Sequence, residues 1–137
     1  MPVTSAQLRF RTDGNGDVVD VTPGVADAVA ETRGSGIVSV FVPGATAAVT
    51  TMEHEPGNVF DLRTLLDRLV PRDGTWEHNR LNHDTNAHAH IRAAIVGPSE
   101  SIPLDAGRLL LGTWQEIVLI DFDDRPRDRT VLVSVMS

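Results

Sequence analysis

Four of the chain's five histidines, His78, His83, His88 and His90, fall within thirteen residues. Glu77, Asn79, Asn82, Asp84 and Asn86 stand among them, and large apolar side chains are nearly absent until Ile91. Imidazole is the side chain that gains and loses protons near neutrality, and it is the commonest metal ligand. A cluster of this kind beside carboxylates can bind a divalent metal or move protons. Spacing limits the choice. His88 and His90 share a side only in extended backbone; on a helix they diverge by about 200°. The His-Glu-x-x-His arrangement of helical zinc sites is absent. The same composition also suits a solvated polar loop with helix caps.

Other residues offer partial chemistry. In Glu53-His54-Glu55, strand alternation sends the two acids to one side and the histidine to the other. Asp61 falls in the first turn of an expected helix, where a carboxylate also satisfies free amides and the helix dipole. Thr113-Trp114-Gln115 follows Gly112 between two apolar runs. Its indole can wall a ring-binding pocket, or sit in the core beside a tight turn. Arg125-Pro126-Arg127-Asp128-Arg129 is a compact cationic run, and guanidinium forks suit phosphate. Asp123, Asp124 and Asp128 could equally neutralise it as a solvated hairpin. Asp13-x-Asn15-x-Asp17 imitates a calcium loop, but Val18 and Gly24 stand where glycine and glutamate belong. No P-loop, dinucleotide fingerprint or serine elbow occurs.

The periodicities predict the elements that must hold these groups. Residues 6–12 alternate as a strand, 13–17 read as a hairpin turn, and 18–21 as the returning strand. Thr22-Pro23 opens a helix with Thr22 as cap, burying Val25, Ala28 and Val29 and ending by Gly34 and Gly36. Residues 37–42 form a central strand and 46–52 another. A helix over 59–70 carries Phe60, Leu62, Leu65, Leu66 and Leu69 at helical spacing. Residues 72–86 read as irregular. Asp84 or Asn86 caps a helix running to Gly97. Strands follow at 101–104, 108–111, 115–122 and 130–136. About three helices among antiparallel or mixed strands give a single-domain α+β protein, not a doubly wound βαβ array.

Composition narrows the class. The 137 residues suit one domain, and with no cysteine, disulfides and thiolate chemistry are excluded. A net charge of −7 argues against a nucleic-acid binder. No basic stretch followed by an apolar run opens the sequence, and no run approaches the roughly 20 apolar residues of a membrane span. The expectation is a cytoplasmic protein without a membrane partner.

The ordered set of Thr46-Ala47-Ala48, Glu53, Asp61, Glu77-His78, Asn86-Ala87-His88-Ala89-His90-Ile91, Gly97, Gly107, Gly112-Thr113-Trp114-Gln115 and Arg127-Asp128-Arg129 resembles the YjbQ-like family of small uncharacterised proteins. That family is often labelled secondary thiamine-phosphate synthase. The resemblance implies a compact α+β fold assembled as a homotrimer, with clefts at subunit boundaries. It implies a site lined by Glu53, Asp61, His78 and His90. Asn86, His88, Trp114 and Gln115 would lie nearby, and Thr46, Arg127 and Arg129 would contact a small phosphorylated metabolite. The implied reaction joins a pyrimidine pyrophosphate to a thiazole phosphate with a divalent metal, zinc or magnesium, for which His78, His88 and His90 are the candidate ligands. Non-catalytic binding of metal or metabolite, and metal-dependent hydrolysis, are the alternatives. One departure stands out. Many members carry His-Thr after the strand ending near Val42; here Gly44-Ala45 precedes Thr46, so any role of that histidine is lost.

Overall fold

The computed structural model describes residues 3–137. In chain order the elements are β1 (Val3–Thr12), β2 (Asp17–Asp20), α1 (Thr22–Val29), β3 (Ser35–Phe41), β4 (Ala47–Met52), α2 (Pro56–Leu69), α3 (Glu77–Asn82), α4 (Ala87–Val96), β5 (Ser99–Asp105), β6 (Arg108–Leu109), β7 (Glu116–Asp121) and β8 (Arg127–Met136). The α+β reading holds, with four helices where the sequence suggested about three.

Two sheets form, and the strand pairings are antiparallel. The larger has the order β1-β8-β3-β5-β6, and the smaller β2-β7-β4. Side chains explain why they stack. On β8, Val131, Val133 and Val135 point inward at period two, as do Val38 and Val40 on β3. They meet Ala47 and Val49 of β4, Ile117 and Leu119 of β7, and Val21, Val25 and Val29 around α1. The other face of the small sheet presents Ala48, Val118, Ile120 and Phe122 to Leu66 of α2 and to Ala89 and Ala93 of α4. The result is three layers, the large sheet, the small sheet, and α2 with α4, while α1 packs into the core shared by the two sheets. Covered on both faces, β7 is a continuous apolar run without alternation.

Several expectations change. Residues 13–16 do turn the chain, and Gly14, Asn15 and Gly16 all have positive φ. The flanking strands, however, do not pair with each other. β1 pairs with β8 and β2 with β7, so the turn carries the chain from one sheet to the other. Gly14 is required there because a Cβ would collide with the Arg125 carbonyl. Thr22 is not the cap of α1. Val21 occupies that position, and the Thr22 hydroxyl accepts from the Ile117 amide at 2.8 Å. Ala28 is exposed. On α2 the apolar stripe is only partly inward: Leu66 is buried, whereas Phe60, Leu65 and Leu69 face outward. The supposedly irregular stretch before α4 contains α3.

Candidate functional site

α3 and α4 bring two of the histidines together. Trp76 precedes α3 in extended backbone, anchored by its indole N–H donating to the Pro71 carbonyl at 3.0 Å. His83 ends the helix in the left-handed conformation and lies exposed. Asn79 ties the two helices: its side-chain oxygen accepts from the Ala87 amide and lies against His78 Nδ1, both at 3.0 Å. Because that oxygen must be an acceptor, His78 Nδ1 carries the proton, and in the neutral ring Nε2 keeps the lone pair. The His78 and His90 rings lie 4.6 Å apart between centroids, inclined at 44°. Both side chains are half-buried. They form a preset pair with unspent hydrogen-bonding capacity.

His90 lines a hollow of about 300 Å³ with Gly44, Ala45, Ala47, Ala93, Ala94 and Pro98. Its wall is almost entirely backbone and methyl groups. Gly44 belongs to this wall, and a Cβ there would stand 3.0 Å from the Arg129 guanidinium. The residue that departs from the family pattern thus sits between His90 and Arg129.

Glu53, Trp114 and Gln115 lie elsewhere. They share an open cleft of about 430 Å³ with Thr51, Met52, Gly112 and Thr113. Gln115 is fixed at both ends, accepting from the Gly112 amide at 3.0 Å and donating to the Thr51 hydroxyl at 2.9 Å. Trp114 is 75% exposed, so it is not a core tryptophan. Glu55, beside Glu53, caps α2 through the Gly57 and Asn58 amides, which hold its carboxyl below the usual carboxylate range. Asp61 lies exposed on α2 and lines neither hollow.

Thr46, Asn86, Arg127 and Arg129 belong to a third place, a buried polar network. Arg129 grips Asp121 through Nε and Nη2 at 2.7 and 2.9 Å, and Nη2 also donates to the Thr46 hydroxyl at 2.7 Å. Thr46 donates to Asp123 at 3.1 Å, and Thr12 to Asp121 at 2.6 Å. Asn86 reaches Asp123 at 3.3 Å, and Arg127 pairs with it at 3.5 Å. Burial alone would raise both carboxyls. For Asp121 the Arg129, Thr12 and Asp123 donors outweigh it; for Asp123 the Asp124 amide, Asn86, Thr46 and Arg127 do. Both therefore stay below the usual range, and hydrogen bonding to Asp121 raises Arg129. Arg129 and Thr46, expected as substrate contacts, thus commit these bonds to the framework, while Arg129 Nη1 makes none of them and lies beside Gly44. Nor is the arginine run a fully solvated hairpin, since Asp123 is 2% exposed.

The network sits where three crossings between the sheets meet: residues 13–16, 42–46 and 122–126. The Asn15 amide donates to the Asp123 carbonyl at 2.6 Å, and the Phe122 amide to the Thr46 carbonyl at 2.9 Å. Thr12 and Asp121 escaped the sequence reading. The available signal was a carboxylate closing an otherwise apolar strand, which needs a buried partner.

His88 faces away from His90, as helical geometry requires, and is 3% exposed. The proposed ligand trio His78, His88 and His90 therefore does not converge. Among the described residues no group of three His, Asp or Glu side chains is placed to hold a metal. The His78–His90 pair offers two nitrogens, short of the three protein ligands usual for catalytic zinc. A resident metal does not fit the residues of one chain.

The comparisons agree with this fold. The model of the family described as UPF0047 protein YjbQ-like matches residues 6–137. A UPF0047 protein of Archaeoglobus fulgidus is 37% identical over 130 residues, covering 95% of this chain and 99% of that protein. One from Methanothermobacter thermautotrophicus is 36% identical over 137 residues, covering 98% and 93%. The crystal structure of a YbjQ-like protein of unknown function from Sulfolobus solfataricus superposes with a TM-score of 0.91 at 32% identity, covering 98% of this chain and 96% of that one. A hypothetical protein of Aeropyrum pernix gives a TM-score of 0.89 at 36% identity, covering 98% of both chains.

Proposed function

The chain belongs to the YjbQ-like UPF0047 family, and on that premise we propose that it is a small-molecule enzyme whose reacting centre is the His78–His90 pair. The contact between the two rings carries the reading. His78 Nε2 is the base, or once protonated the acid, and His90 opens onto a hollow large enough for part of a substrate. Transfer of a pyrimidine group from its pyrophosphate to a thiazole phosphate is the reaction to test. It expels pyrophosphate, and an imidazolium beside the departing oxygen would donate a proton to it.

In this reading the site is completed at the boundary of a homotrimer. Glu53, Trp114 and Gln115 from one copy would face His78 and His90 of the next. Exposed apolar residues support assembly: Phe60, Leu69, Leu81, Ile95 and Trp114 are each at least 60% exposed. The chain presents 7840 Å² of surface, against about 7000 Å² expected from the usual scaling for a compact monomer of this mass. No helix among the described residues is long and apolar enough to cross a membrane.

The test mixes pure protein, the two precursors and magnesium, and measures thiamine phosphate and pyrophosphate. Both should appear, with a loss of about 100-fold or more in the His78→Ala, His90→Ala double variant. Unchanged turnover in that variant would sink the assignment. A second reading, binding of a phosphorylated metabolite without turnover, gains from the separation of Glu53 and Asp61 from the histidines within one chain. Saturable binding without product in the same assay would favour it.

A further inference from the structure

On the other side of α4 lies a small cavity of about 80 Å³ that plays no part in the reading above. It is lined by Asn15 from the first crossing, Asp67 of α2, Arg72, His88, Arg92 and Phe122. His88 and Arg92 are one turn apart on α4 and are both more than nine-tenths buried. His88 Nδ1 has no hydrogen-bond partner, and such a group costs about 1–3 kcal/mol when left unpaired. Arg92 is held rigidly, donating to the Val70 carbonyl at 3.2 and 2.7 Å and to Asp67 at 3.1 Å. Arg72 donates to the Asn15 side-chain oxygen at 2.6 Å.

Each guanidinium has five N–H donors, and these bonds use only some of them. Each wall acceptor faces a guanidinium: Asn15 Oδ1 accepts from Arg72, and one oxygen of the exposed Asp67 carboxylate from Arg92. Two guanidiniums stand against one carboxylate, and the buried group without a partner is His88 Nδ1, so the matching guest is rich in acceptors. The volume admits several waters or one tetrahedral oxoanion.

We propose that this cavity is an oxoanion site, taking inorganic phosphate or the phosphate group of a metabolite between Arg72, Arg92 and His88. Arg72 and Arg92 supply charge-assisted bonds, and His88 supplies Nδ1–H as a neutral donor. Burial, then Arg92 and Arg72, hold this imidazole below its usual 6.5, against a weaker upward pull from Asp124 and Asp123. The site is independent of the His78–His90 pair, so either can fail alone.

The test is a titration with inorganic phosphate at constant ionic strength, following the side-chain nitrogen signals of the histidines by NMR. The His88 signal should shift saturably, and Arg72→Gln should weaken binding about tenfold or more. Arg72 is exposed, so that variant should keep the parent melting temperature without phosphate. Glycerol phosphate is the second arm. If it shifts His88 as well, the site takes phosphate groups of metabolites; if only the free ion does, it takes inorganic phosphate. Either result supports an oxoanion site. No saturable His88 shift up to about 50 mM phosphate means a water-filled cavity and overturns it. A shift unaltered by Arg72→Gln also overturns it.

Discussion

The buried network around Asp121 and the histidine pair at the α3–α4 junction are both polar, and they are built in opposite ways. In the network each charge is matched: Asp121 accepts from Arg129, Thr12 and the Asp123 amide. At the pair, Asn79 fixes one nitrogen of His78, while the facing rings keep capacity to spare. Saturated bonds in a low-dielectric interior make framework. Groups held in place but left unspent are available for chemistry. The density of polar residues does not separate the two; the accounting of their partners does.

That contrast can be broken at its strong end first. Asp121→Ala should cost about 3–5 kcal/mol in urea unfolding, because buried Arg129 loses its bidentate partner and keeps only Asp123 at 3.9 Å. A double change to Asp121→Ala, Arg129→Met should recover much of the loss. If the single variant loses less than the double, the network is not a coupled pair. Next comes Thr46→Val, which removes the hydroxyl shared by Arg129 and Asp123 and should cost about 1–3 kcal/mol. A neutral outcome would return Thr46 to the list of substrate contacts.

Acid offers a third way in. Asp121 and Asp123 sit below the unfolded value of 3.8. Their contribution is present above that value and is lost as pH falls through the lower folded values. His88 acts earlier. Its folded value lies below 6.5, so the unfolded chain binds this proton first and stability declines as pH drops from about 6.5. Replacing it by glutamine should remove that early decline and leave the later one; an unchanged profile would mean that His88 is not the group responsible. The smallest expected effect is at the pair itself. His78→Ala or His90→Ala should change stability by no more than about 1 kcal/mol while abolishing turnover or ligand binding. A large stability loss would make the pair part of the framework after all.

Much of the fold was legible. The turn at 13–16, the proline at the start of α1 and the apolar runs of β3, β7 and β8 could be read from local pattern, and of the two cap candidates Asn86 takes the position, without a side-chain cap bond. Strand partners could not. A tight turn ordinarily implies a hairpin, but here Gly14 packs on the 122–126 crossing and sends β2 into another sheet. The exposed Phe60 and Leu69 were misread for a related reason: an apolar stripe shows that a face seeks cover, not what covers it. α3 was missed because its six residues carry no apolar period.

For the site, the sequence by itself identified the histidine-rich segment and, through family resemblance, the positions worth watching. It also confined any chelate of His88 with His90 to extended backbone, because two residues are over half a helical turn, yet it kept both with His78 as candidate ligands until the helix was in place. What only the tertiary structure decided was the sorting. His78 meets His90 because Asn79 joins α3 to α4. Arg129 turns inward because Asp121 closes a strand whose other side chains are buried on both faces. Solvation and long-range pairing are properties of the packed layers, so the same residue types became framework in one place and open chemistry in another.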